Sequence, residues 1–121
     1  MRIKELIHSM QIRPKMYVTE VRLDYIFHFF LGYCGANSKL PGDEMDRRFC
    51  GWFCTWLFLW IENNVDTDYR PQSAAWYKDI IQITPDGQNE VDFFFDLCEK
   101  FFEDYENKRG CFSWRNEKEE V

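Results

Sequence analysis

Residues 88–108 read QNEVDFFFDLCEKFFEDYENK, and two interleaved patterns in this stretch decide the fold class. Val91, Phe94, Cys98, Phe101 and Tyr105 recur at three- and four-residue spacing, and so do Asp92, Asp96, Glu99, Glu103 and Glu106. At 3.6 residues per turn each set lines one helix face, whereas a strand would alternate every second residue. The segment is expected to be a helix with an apolar back and a carboxylate front about 21 Å long. Lys100 is the one cation between Asp92 and Glu106. Like charges four residues apart repel by a few tenths of a kcal/mol per pair, so the stripe has two readings. It is a solvated face that keeps the chain soluble, or a surface made for a basic partner. Phe95 and Phe102 fall on the border between back and front, as edge-of-core residues or as interface anchors.

The rest of the chain follows the same helical period. Prolines at 14, 41, 71 and 85 fall between the periodic runs, where they do not cost a helix about 3 kcal/mol. A first helix is expected over about 2–11, with Ile3, Leu6, Ile7 and Met10 inward, followed by a connector in which Met16, Tyr17 and Val18 pack on the core. A second is expected over about 22–36, with Leu23, Ile26, Phe27, Phe30, Tyr33 and Cys34 as its apolar face. A third, capped by Asp43, runs to about Asn63; its middle, Phe49 to Ile61, is apolar nearly all round, which marks it as the central helix. Ser73 caps a fourth helix, in which Ile80-Ile81-Gln82-Ile83-Thr84 is the one run with strand character; it has no second run to pair with and is read as helical. Pro85-Asp86-Gly87 makes a turn with Asp86 as a candidate cap, and Gly110 stops the last helix. The expected fold is all-α: residues 1–110 form a single compact bundle of about five helices, and residues 111–121 form a charged, partly frayed tail in which Cys111, Phe112 and Trp114 are candidates for docking.

A chain of 121 residues makes one domain, and 45% hydrophobic with 19% aromatic residues is enough to build a core without metal or disulfide staples. The net charge of −6 is unevenly placed: residues 1–48 carry eight Lys/Arg against six Asp/Glu, and residues 49–121 carry seven against fifteen. That imbalance argues against nucleic acid, whose phosphates need a basic face, and favours a Lys/Arg-rich protein. No apolar run approaches the roughly 20 residues of a membrane span. The polar start Met1-Arg2-Ile3-Lys4-Glu5 is not expected to be a secretory leader, so a cytoplasmic protein is expected. The five cysteines, an odd number, then read as small buried hydrophobes.

No constellation for chemistry emerges. Cys50 and Cys54 stand four apart on one helix face but lack the second ligand pair of a structural zinc site, and neither His8 nor His28 has a partner at ligand spacing. His28 follows Asp24 by four residues, which suits a helix-surface hydrogen bond better than a catalytic dyad. The carboxylates of the last helix share a convex face, whereas acid–base catalysis needs two across a cleft. Gly32 and Gly35 lack the lysine of a phosphate loop. Arg13-Pro14-Lys15-Met16-Tyr17-Val18 is similar to a segment of gyrase-type ATPases, but the chain is too short for that fold and has no glycine-rich lid. A non-enzymatic protein without metal or cofactor is expected; a thiol hydrolase using Cys50 or Cys54 is the enzymatic alternative.

Several landmarks taken in order resemble one family. They are Arg13-Pro14-x-Met16-Tyr17; Leu23-x-x-Ile26-Phe27-x-Phe29-Phe30-Leu31-Gly32-Tyr33; Phe49, Phe53 and Trp56-Leu57; Ser73-x-x-Trp76 with Ile80-Ile81; and Glu90-x-x-x-Phe94-Phe95-x-Leu97-x-x-x-Phe101. Together they resemble small bacterial immunity proteins of contact-dependent growth inhibition and related polymorphic toxin systems, over residues 2 to about 105. Lys15 stands where that likeness leads one to expect glycine, and the segment past Gly110 is this chain's own. The resemblance implies a helical antitoxin that binds the C-terminal domain of a cognate toxin, often a basic nuclease, and covers its active site or blocks its substrate. Residues of the binding face do not transfer within such a family. The candidates are therefore this sequence's own: Asp92, Asp96, Glu99, Glu103 and Glu106, with Phe95 and Phe102 as anchors and Asp66 and Asp68 of the 63–69 loop as a second site. A small helical adaptor or regulatory subunit for another intracellular protein is the alternative. The oligomeric state is not readable from the sequence.

Overall fold

A computed structural model describes residues 2–37, 44–65 and 75–113. Five α-helices follow in order: α1 (Ile3–Ile12), α2 (Leu23–Asn37), α3 (Glu44–Asn64), α4 (Trp76–Ile83) and α5 (Glu90–Glu106). Short 3-10 turns at Pro14–Met16 and Gly110–Phe112 follow α1 and α5, and no strand occurs among the described residues. The fold is the expected all-α bundle. Asp43 and Ser73, read as helix caps, lie outside the described residues.

The helix ends have local causes. Arg2 offers no side-chain cap to α1; instead the Ile3 N–H donates to Asp46 Oδ1 of α3 at 2.7 Å. One helix thus supplies the anion that the other's N-terminal dipole favours. Pro14 ends α1 by pushing Arg13 off helical geometry, to φ −135. Before α5, Pro85-Asp86-Gly87-Gln88 closes a turn through the Gln88 N–H and the Pro85 carbonyl (3.1 Å), with Gly87 at φ 83 where a side chain would be strained. The cap is Asn89, not Asp86: its Oδ1 accepts from the N–H groups of Val91 (2.8 Å) and Asp92 (3.2 Å). The run Ile80–Ile83 is helical despite its β-branched residues, because Trp76 and Ile80, four apart, are both fully buried.

The core is aromatic. Phe53 of α3 has the rings of Phe49, Trp56, Trp76, Phe94 and Phe101 around it, with centroids 5.1 to 5.8 Å away. Trp76 lies parallel to Phe94 at 5.2 Å, which fixes the short α4 against α5. Such pairs contribute about 1 kcal/mol each beyond the area they bury. α3 is not apolar-facing on all sides, as its sequence led one to expect: Met45, Phe49, Phe53, Trp56, Leu57 and Ile61 are buried, while Gly51, Thr55 and Leu59 face outward. The larger anchor is α5, with eight buried residues. In the connector Val18 is buried and Tyr17 half-buried, its hydroxyl 2.7 Å from Ser9 Oγ, but Met16 is exposed rather than packed. Phe112 is buried against Trp52, Phe101 and Tyr105, so the packed body continues past residue 110. Trp114 lies outside the described residues.

Candidate protein-binding face

Asp92, Asp96, Glu99, Glu103 and Glu106 are all exposed along the outer face of α5. The helix can present them because its opposite face is held by the buried rings of Phe94 and Phe101 and the thiol of Cys98. Phe95 and Phe102 are only 5% and 6% exposed, so they are edge-of-core residues and do not project as free anchors. Their remaining exposed edges line a groove of about 590 Å³ between α1 and α5. Ile7 and Cys98 share its lining; Lys4, His8 and Gln11 come from α1, and Asp96, Glu99, Glu103 and Glu106 from α5. Asp92 stands beyond the groove in the first turn of α5, where the helix dipole favours an anion. Asp66 and Asp68 lie outside the described residues.

The acidic stripe draws cations from outside its own helix. Lys4 Nζ pairs with Glu106 and lies 5.9 Å above the centre of the Phe102 ring. Arg109, past the helix end, reaches Glu103 at 2.9 Å and Asp104 at 3.4 Å. Both cations serve the C-terminal end of α5, which has no basic residue in its last turn and where the dipole disfavours negative charge. Toward the other end Asp96 accepts only from Gln88 Nε2, at 3.0 Å, and Asp92 and Glu99 have no ion pair among the described residues. Asp104 belongs to the structure rather than to the stripe: half-buried, it accepts from Trp56 Nε1 at 2.8 Å and ties α5 to α3.

Sequence reasoning found the carboxylates and missed the opposite wall of the groove. Lys4, His8 and Gln11 are about a hundred residues away in sequence, and no spacing rule links them to α5. The other candidate pair does not form: Asp24 is held by Arg22, at 2.9 and 3.1 Å, and the His28 ring packs against Phe27 and Tyr77 instead. Among the described residues no three His, Cys, Asp or Glu side chains converge as metal ligands, and no helix is long and apolar enough to cross a membrane. Burial raises the Cys54 thiol above its ordinary range, and Cys50 is raised by the neighbouring Cys34 and by burial.

No known protein family, curated protein or solved structure matches this chain.

Proposed function

We propose that this protein is an immunity protein that binds and neutralises a cognate toxin domain of basic, nuclease type, in the cytoplasm and without chemistry of its own. The observation that carries the reading is the row of exposed carboxylates bordering an aromatic-floored groove on one face of the molecule. The charges attract and orient a cationic partner, which raises the association rate. The groove then offers apolar surface, Phe95, Phe102 and Ile7, to the aliphatic stem of an arginine or lysine whose head meets Asp96 or Glu99. A nuclease is basic where it grips phosphate, so an acidic ligand that covers that surface competes with substrate for the same cations.

The test is co-purification with the toxin domain encoded beside this chain, followed by association kinetics at rising salt. A tight complex whose association rate falls steeply with salt supports the reading. A neighbouring gene that encodes no toxin, together with capture of an ordinary intracellular protein, would favour the adaptor.

A further inference from the structure

All five cysteines are free thiols, and two of them meet across the α2–α3 contact. Cys34 lies near the C-terminal end of α2 and Cys50 in the second turn of α3. Their Sγ atoms are 3.8 Å apart and share a hydrogen bond. Cys34 is buried and Cys50 half-buried, which leaves a small oxidant a way in from the Cys50 side. The two residues are sixteen apart in sequence, so helix packing rather than helical register sets them together. Among the described residues no other thiol pair is in hydrogen-bond contact; Cys98 is fully buried on α5, and Cys111 lies in the turn beyond it.

Sharing a proton makes the first ionisation of such a pair easier and the second harder. The shared hydrogen bond draws the first ionisation of the pair below the ordinary thiol range, and the same contact with burial pushes the second well above it. One sulfur of the pair attacks and the other resolves.

We propose that Cys34 and Cys50 are a redox pair that closes into a disulfide between α2 and α3 when the protein meets a peroxide. The thiolate of the pair attacks the O–O bond and becomes a sulfenic acid, and the departing hydroxide takes up a proton to leave as water. The second sulfur then attacks the sulfenic sulfur: the S–S bond forms, the S–O bond breaks, and the released hydroxide leaves as a second water with the second thiol's proton. Two thiols are oxidised and one peroxide is reduced. The sulfur separation must close from 3.8 Å to about 2.05 Å. Neither cysteine lines the α1–α5 groove, so the proposal stands apart from the reading of that face.

The experiment treats the full chain with one equivalent of hydrogen peroxide and maps its unreduced peptides by mass spectrometry. The expected product is a monomer with a Cys34–Cys50 link and a Tm raised by about 10 °C through closure of the intervening loop, reversed by dithiothreitol. Cys34→Ser and Cys50→Ser each abolish the link, and Cys111→Ser retains it. A bridge through Cys54 or Cys111, or Cys34 oxidised to sulfinic acid with Cys50 still reduced, would overturn the proposal. Mapping the unmutated chain decides this even if a serine variant fails to fold.

Discussion

Lys108 holds a backbone conformation that side chains seldom adopt, with φ 57. It sits where helix ends favour glycine: its N–H donates to the Tyr105 carbonyl (3.3 Å), and the next N–H, of Arg109, donates to the Asp104 carbonyl (2.9 Å). Lys108→Gly should keep this pattern without the strain and stabilise the chain by about 1 kcal/mol in a denaturant titration. A second residue-scale expectation concerns alkali. Full burial holds the Cys98 pKa well above its ordinary value of 9.0, so the folded state keeps a proton that the unfolded chain gives up above about pH 9. A raised folded pKa contributes stability that is present below the unfolded pKa and is lost as pH rises toward the folded one. Stability should fall above about pH 9, and Cys98→Ala should flatten the dependence by up to about 1.4 kcal/mol per pH unit. A slope unchanged by that substitution would place the alkaline loss on other groups.

At the scale of the element, α3 carries a glycine in its interior that packing does not require. Gly51 is exposed, and a Cβ built there meets nothing within 4 Å. Gly51→Ala should raise stability by about 1 kcal/mol, read as a shift in thermal midpoint. The five helices were legible because three/four spacing marks a helical face and the prolines fall between the runs; only the Ile80–Thr84 run had to be settled by the lack of a strand partner. Caps were less legible. Asp86 is the cap read from the sequence; Asn89, chemically similar, caps instead because the Gly87 turn sets where the helix begins. The cap on α1 could not be read locally, since Asp46 arrives from another helix. The site divides in the same way. The exposed row on α5 is a property of one helix, whereas the groove needs α1 laid beside α5, a contact between Lys4 and Glu106 that no local pattern encodes. Phe95 and Phe102 sat on the boundary of the apolar arc, and only the packing of other helices against α5, Phe49 of α3 on Phe102 among them, settles how little of them is exposed.

For the whole molecule the relevant quantity is the charge distribution. The net charge is −6, and the described acidic face gathers on α5. Reversing Asp96, Glu99 and Glu103 together to lysine should weaken capture of a basic toxin by several kcal/mol and flatten its salt dependence. The fold should survive with little change in Tm, because the one ion pair lost among the described residues, Glu103 with Arg109, is exposed and worth under about 1 kcal/mol. Undiminished protection by that triple variant would remove this face from the interface.

The anchoring of α5 has a consequence for how the protein tolerates change. Eight of its side chains are fixed in the interior, so the outer row of charges is held as a rigid template, and its arrangement is settled before any encounter. Under the proposed function the same rigidity couples recognition to folding through phase. One residue inserted between Asp96 and Phe101 would rotate everything downstream by about 100°, carrying carboxylates into the interior and rings into water. Single substitutions along the outer row leave the core untouched, while a change of length by one residue cannot be absorbed.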